Sequence, residues 1–341
     1  MDSFLNLSSE RRQQLCEFAG DLIGLDASSV EKDFWVCWIL RELFTLPELG
    51  THLTFKGGTS LSKGWKLIER FSEDIDMVID RDFLGFDGEQ APDQASITRG
   101  EQTRRLDALR AACQTYIRDS FRSALLDRLR ERLPDGLVWQ LSEEATADGS
   151  TDLIFKYPSI FPAGQYLRPV VIISHGARSD IEPSESPTIQ PYLSEALPDQ
   201  LGESSFKIRT VAPERTFWEK AMLLHEETFR AGEAGPRVRL ARHYYDLWCL
   251  IRAGIGDRAV ESEGLFERVA AHRAVFFRKR REVVESIKRG TLRIIPLPEQ
   301  TQSWKADYDQ MREAMFFNEP PSFEEILSVV EKFEREFNSL A

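Results

Sequence analysis

Two aspartates spaced two apart, in Asp74-Ile75-Asp76-Met77-Val78-Ile79, are the residues whose types and spacing most plainly suit chemistry. Period-two alternation puts Asp74 and Asp76 on one face of a strand and Ile75 and Met77 on the other. Carboxylates about 4 Å apart repel by about 4 kcal/mol at an effective dielectric of 20. A divalent cation relieves that repulsion, and Mg²⁺ is commonly held by one or two carboxylates together with substrate phosphates. Just upstream, Leu53-Thr54-Phe55-Lys56 reads as a short strand, Gly57-Gly58 breaks it, and Thr59 or Ser60 can cap a following helix. Small residues at a helix N-terminus let a phosphate approach its free N–H groups, and the hydroxyls of Ser60 and Ser62 can add donors. Taken singly, these are a turn and a strand with two solvated aspartates. Together they point to nucleotide chemistry.

A second constellation lies in Pro213-Glu214-Arg215-Thr216-Phe217-Trp218-Glu219-Lys220-Ala221-Met222-Leu223-Leu224-His225. Helical spacing sets Lys220 on the face of Phe217, Ala221 and Leu224, where an ammonium needs a carboxylate or a phosphate. In Tyr244-Tyr245-Asp246-Leu247-Trp248-Cys249-Leu250-Ile251, Asp246 is a lone acid among apolar residues and is the natural partner of Lys220. The pair reads either as a structural ion pair or as part of a site. Arg237, Arg239, Arg242 and His243, just upstream, either grip substrate phosphates or cover a solvent-facing helix end. His225, His243 and His272 lack metal-ligand spacing.

The run FKGGTSLSKGWKLIERFSEDIDMVI resembles the AbiEii-type nucleotidyltransferase toxins of abortive-infection and type IV toxin–antitoxin systems, within the DNA polymerase β-like superfamily. The resemblance implies an α+β fold: a polymerase β-like mixed sheet with flanking helices over residues 1–205, then a helical C-terminal domain over 206–341 completing the active site. It implies a Mg²⁺-dependent enzyme in which Asp74 and Asp76 hold the metal. Gly57, Gly58, Thr59, Ser60 and Lys220 would bind the nucleoside triphosphate, and Lys220 and Asp246 would complete the catalytic set. The implied acceptor is RNA, with the 3′ end of tRNA as the candidate, and the implied partner is a DNA-binding antitoxin. Fifteen residues separate Gly58 from Asp74, which fits one more helical turn than in the shortest superfamily members. The superfamily places a third carboxylate on a later strand, here expected near the end of Leu167–Ser174. Ser174 or His175 stands there instead, and Asp152 on the preceding strand is a candidate substitute. That departure keeps two other readings open: a nucleotide-binding regulatory protein with impaired catalysis, and transfer onto a protein hydroxyl.

The remaining sequence supplies elements to hold these groups. Ser8–Ile23 reads as an amphipathic helix with Leu15, Phe18, Ala19 and Leu22 on one side. A capping box from Ser28 to Glu31 opens a helix to about Phe44 whose Trp35 and Trp38 belong to a buried stripe. Lys32, just inside it, either faces the nucleotide pocket or is exposed. Residues 84–100 carry no periodicity and read as a mobile loop near the site. Glu101 to Leu133 reads as one long helix studded with arginines, either an electrostatic track for RNA or a solvated face offset by acids. Strands are expected at Leu137–Leu141, Thr151–Tyr157 and Leu167–Ser174, between turns at Asp148-Gly149 and Pro162-Ala163-Gly164. The basic run Arg278-Lys279-Arg280-Arg281 reads as a solvated face or an RNA contact, and Ser322 opens a terminal helix.

Composition sets bounds on function. With 341 residues the chain has room for a substantial core, and its net charge of −12 argues against a general polyanion coat. Four scattered cysteines, Cys16, Cys37, Cys113 and Cys249, suggest neither a zinc site nor a disulfide framework, so a reducing cytoplasm is the expected compartment. No apolar run approaches membrane-spanning length.

Overall fold

The computed structural model describes residues 1–72, 74–146, 149–162, 168–230, 239–277, 281–316 and 319–340. Asp148, the Ala163-Gly164 turn, Leu167, Arg237 and the basic residues Arg278, Lys279 and Arg280 lie outside the described residues. The chain divides into two units, one of 1–64 with 72–210 and one of 65–71 with 211–341.

Among the described residues the strands are β1 (Leu53–Lys56), β2 (Ile75–Ile79), β3 (Gln140–Ala145), β4 (Thr151–Lys156), β5 (Val170–Gly176), β6 (Ser184–Glu185), β7 (Thr188–Ile189), β8 (Phe206–Lys207) and β9 (Thr210–Val211), all but the last residue of β9 in the first unit. Seven form a mixed sheet in the order β3-β4-β5-β2-β1-β9-β6. With the flanking helices this gives the expected α+β class. Its centre is β2, antiparallel to β1 and parallel to β5. That position explains why Ile75, Met77, Val78 and Ile79 are all buried, since a central strand has helices or chain on both faces.

The Ala27–Phe44 helix covers this sheet, as its two tryptophans predict. Trp35 stacks on Tyr157 at 5.6 Å and meets Phe155 at 5.8 Å, and Trp38 is also fully buried. The expected capping box does not form: the helix starts at Ala27 after Asp26, and Glu31 is drawn inward by tertiary partners. Its carboxylate accepts from Ser159 Oγ at 2.7 Å and from the Ile160 amide at 2.9 Å. Lys32 is buried as well, donating to the Arg168 carbonyl at 3.1 Å. On the Ser9–Ile23 helix the covered stripe is Arg12, Leu15, Cys16, Ala19 and Gly20, spaced i, i+3, i+4, i+7, i+8. Phe18 and Leu22 fall beside that stripe and are 55% and 56% exposed, contrary to the amphipathic expectation.

The arginine-rich helix is continuous over 99–132, with one π-helical turn at Ile117–Phe121. Many of its arginines meet acids: Arg104 and Arg105 take Glu101, Arg122 takes Glu143, Arg128 takes Glu42, Arg130 takes Asp127 and Arg132 takes Asp2. This is the offset-charge alternative. The strand expected at Leu137–Leu141 begins later, at Gln140, because its ladder is set by pairing with β4, Gln140 opposite Lys156 through Ala145 opposite Thr151. Val138 is left 85% exposed.

The second unit is helical: Pro213–Thr228, Arg242–Arg252, Ile255–Glu261, Leu265–Phe276, Arg281–Ser286, Pro298–Met315 and Phe323–Asn338. Trp218 anchors its core, 4.9 Å from the rings of both Phe266 and Phe337, and donates from Nε1 to the Ala259 carbonyl. Ser322 and Glu325 form a capping box at the last helix, as expected. Segment 65–71 also belongs to this unit, which corrects the extra helical turn expected after the glycine pair. Helical residues end at Gly64, and Lys66 at φ +53° turns the chain away. Trp65 Nε1 then donates to the Val211 carbonyl at 3.1 Å and the Phe71 amide to the Met315 carbonyl at 2.7 Å. Among the described residues, no helix is long and apolar enough to cross a membrane.

Candidate active site

In the first unit, β1 delivers the chain to Gly57 and β2 delivers Asp76 to the same place, because Lys56 lies opposite Asp76 in their antiparallel register. Gly57 has φ +83°, a conformation L side chains rarely adopt. It also has no room for a side chain: a Cβ there would lie 2.1 Å from Asp76 Oδ2 and 2.9 Å from its carboxyl carbon. The missing side chain therefore lets the carboxylate rest against the glycine turn. Asp74 stands one residue before β2, not within it. Thr59 fixes that entry, bonding from Oγ1 to the Asp74 carbonyl at 2.5 Å and to Ser72 Oγ at 2.9 Å.

The hydroxyls expected to face a phosphate turn inward. Thr59 is 1% exposed and engaged as above, Ser60 Oγ donates to the Gly57 carbonyl at 2.8 Å, and Ser62 Oγ donates to the Thr59 carbonyl at 3.2 Å. What the turn can offer an anion is its backbone N–H groups at Gly57, Gly58 and Thr59, since the Ser60 N–H donates to the Gly57 carbonyl.

The strand register decides which residue takes the place of the third acid. Asp76 lies opposite Ser174 and Met77 opposite His175, so Ser174 shares the face of Asp76 while His175 turns to the other. Burial pushes His175 down to about 4, so it stays neutral near pH 7. On β4, Leu153 faces Ile173, which sets its neighbour Asp152 on the Ser174 face. Lys56 extends the row on the other side, its Nζ donating to Ser179 Oγ at 2.8 Å. Among the described residues, no group of three or more His, Cys, Asp or Glu side chains is arranged to hold a metal ion. The Asp76 carboxylate at the glycine turn, with Asp74 two residues before it, still fits Mg²⁺, because the remaining positions of that ion are normally taken by water and substrate phosphates.

In the second unit, Pro213 at the first turn starts the helix that carries Lys220. Asp307 sets the entry of the next helix by accepting from the Arg239 and Ala241 amides at 2.6 and 2.7 Å. That helix brings Asp246 to Lys220, with Nζ 2.8 Å from Oδ2. The pairing expected from the sequence is therefore present. Arg70 was not expected there. Its Nε donates to Asp246 Oδ1 at 2.7 Å and its Nη2 to Oδ2 at 2.8 Å, a two-pronged grip. His243 Nδ1 adds a 3.3 Å contact to Lys220 Nζ. A fully buried carboxylate among apolar residues is a signal for more than one cation, and Arg70 sits in the segment read as helix.

Burial would raise the Asp246 carboxyl, but Arg70 and then Lys220 outweigh it and hold it well below the usual carboxylate range. Burial lowers Lys220, against the pull of Asp246 and with the repulsion of Arg70. Burial, then Lys220 and Arg242, push His243 well below its ordinary value. With Lys220 protonated, Arg70, Lys220 and Asp246 together carry one net positive charge in a place that disfavours it, so the cluster can attract an anion.

The family model described as "Nucleotidyl transferase AbiEii toxin, Type IV TA system" matches residues 38–329. Among solved structures, the chain is similar to the nucleotidyltransferase toxin MenT4 from Mycobacterium tuberculosis, at 18% identity, with 98% of each chain covered and a TM-score of 0.44. No curated protein matches the chain.

Proposed function

We propose that this chain, which belongs to the nucleotidyltransferase AbiEii toxin family of type IV toxin–antitoxin systems, transfers a nucleoside monophosphate from a nucleoside triphosphate to an RNA hydroxyl. The 3′ end of tRNA is the acceptor we favour. The observation that carries the reading is the Asp76 carboxylate seated against Gly57, which brings an acid to a turn of backbone donors. Asp74 and Asp76 would hold Mg²⁺. Bound there, the ion would supply charge neutralisation on the triphosphate. The backbone N–H groups from Gly57 to Thr59 suit the phosphates. Lys220 suits a phosphoryl oxygen, and Asp246 keeps that ammonium in place.

In the reaction the acceptor hydroxyl gives up its proton to solvent, its oxygen bonds the α-phosphorus, the bond to the β-phosphate oxygen breaks, and pyrophosphate leaves with the electron pair. Positioning and electrostatics supply most of the rate in such a transfer, which is why few side chains are needed. The test is incubation of the purified protein and Mg²⁺ with each of four labelled triphosphates and total tRNA. Label that enters RNA and is released by RNase supports the proposal, and label that resists RNase favours a protein acceptor. Labelling with none of the four counts against the enzyme.

Ser174 opposite Asp76 favours a second reading, a nucleotide-binding protein with impaired catalysis. Calorimetry separates the two, since that reading expects triphosphate binding without turnover. A DNA-binding antitoxin is the partner this family assignment implies.

A further inference from the structure

Asp246 makes three close contacts with cations, and two come from one residue. Arg70 takes both carboxylate oxygens, while Lys220 reaches only Oδ2, which it shares with Arg70 Nη2. Arg70 is itself fixed: its Nη1 donates to the Phe71 carbonyl, its backbone bridges to Phe316, and it is 2% exposed. A planar guanidinium that satisfies both oxygens of a carboxylate does so with a geometry a lysine cannot copy. It is also the stronger of the two charge partners of Asp246.

We infer that Arg70 is a positioning residue for the transfer reaction: by occupying both oxygens of Asp246 it leaves the Lys220 ammonium under-compensated, as the group that meets the triphosphate. The inference rests on the nucleotidyltransferase reading and adds to it a division of labour. Asp246, gripped on both oxygens, is a poor proton acceptor and acts as a fixed strut. Lys220 keeps its charge available to a phosphoryl oxygen because its counter-ion is already engaged. The charged and titratable groups facing Lys220 are Asp246, Arg242 and His243 on the Arg242–Arg252 helix and Arg70 on segment 65–71. Arg70 and Arg242 repel its proton and Asp246 retains it.

Removing Arg70 therefore gives Lys220 the whole carboxylate, strengthens that pair, and makes the ammonium harder to recruit. The experiment compares Arg70→Gln and Arg70→Lys with wild type in the full chain, reading kcat, KM for the triphosphate and the pH profile. The expected result is a kcat about tenfold or more lower in Arg70→Gln, KM changed less than kcat, and the basic limb of the profile moved to higher pH. Arg70→Lys, which keeps the charge but not the fork, should recover only part of kcat. Two variants with wild-type kcat and an unmoved limb would overturn the inference. So would a loss of activity that only tracks a loss of folded protein.

A second readout does not depend on turnover. Titration of ¹⁵N-labelled Lys220 Nζ by NMR should place its proton loss at lower pH in wild type than in Arg70→Gln. An unchanged titration overturns the positioning role even where transfer is absent, whereas a shifted titration in a protein that transfers nothing refutes the nucleotidyltransferase reading and spares the geometry.

Discussion

Asp76 Oδ2 occupies the space that any side chain at residue 57 would need, 2.1 Å from the Cβ position of Gly57. With φ at +83°, alanine there is strained twice, by its own backbone and by the carboxylate. Gly57→Ala should cost about 1–2 kcal/mol of stability from the left-handed backbone alone. It should lower kcat by about 100-fold, since a displacement near 1 Å at a reacting centre costs that much. Thermal melts and initial rates on the same preparation check both halves.

Ser174 stands beside Asp76, at the place where the sequence resemblance leads us to expect an acid. Ser174→Glu adds a carboxylate to the same strand face, so the Mg²⁺ concentration for half-maximal rate should fall, by about tenfold if the new oxygen binds the ion. A metal titration of both proteins reads this. An unchanged requirement would mean the metal lies away from Ser174.

The glycine turn before Asp76 and the Lys220–Asp246 pair were legible in the sequence, and Arg70 was not, for physical reasons. A glycine pair marks a tight turn, and Lys220 and Asp246 each announced a need for opposite charge by lying among apolar residues. Arg70 stayed hidden because the fifteen residues between Gly58 and Asp74 look helical, whereas Lys66 ends that path and 65–71 joins the second unit. The Ser28–Glu31 box failed for a related reason: a local cap worth about 1 kcal/mol gives way when the tertiary fold offers Glu31 two donors. Periodicity found the Ser9–Ile23 helix but chose the wrong face in part, since it counted Phe18 and Leu22 by type.

Asp246 should matter more to stability than Lys220. Asp246→Ala leaves Arg70 and Lys220 buried without their counter-ion and should destabilise the protein by about 3–5 kcal/mol. Lys220→Met leaves Asp246 still gripped by Arg70 and should cost less than about 2 kcal/mol. Denaturant unfolding of the two variants gives the comparison. Equal losses would argue that Lys220 is the main partner.

Stability should fall between pH 6.5 and 4, in part through His225. Its Nδ1 accepts from the Arg293 amide at 2.9 Å and its Nε2 meets Ser286 Oγ at 2.8 Å, while burial pushes its pKa down to about 4. A depressed folded value means the unfolded state binds the extra proton. The contribution is complete above the unfolded pKa of about 6.5 and is lost as pH falls through the folded one, up to about 3 kcal/mol. His225→Gln should flatten that part of a stability-against-pH curve.

In the proposed reaction Asp76 at the glycine turn serves nucleotide transfer. Intact-mass analysis of tRNA after incubation with protein, Mg²⁺ and triphosphates tests it most directly. Wild type should add the mass of one or more nucleoside monophosphates to the RNA, and folded Asp76→Ala should add none. RNA of unchanged mass with wild type, or the same gain with Asp76→Ala, would contradict the account.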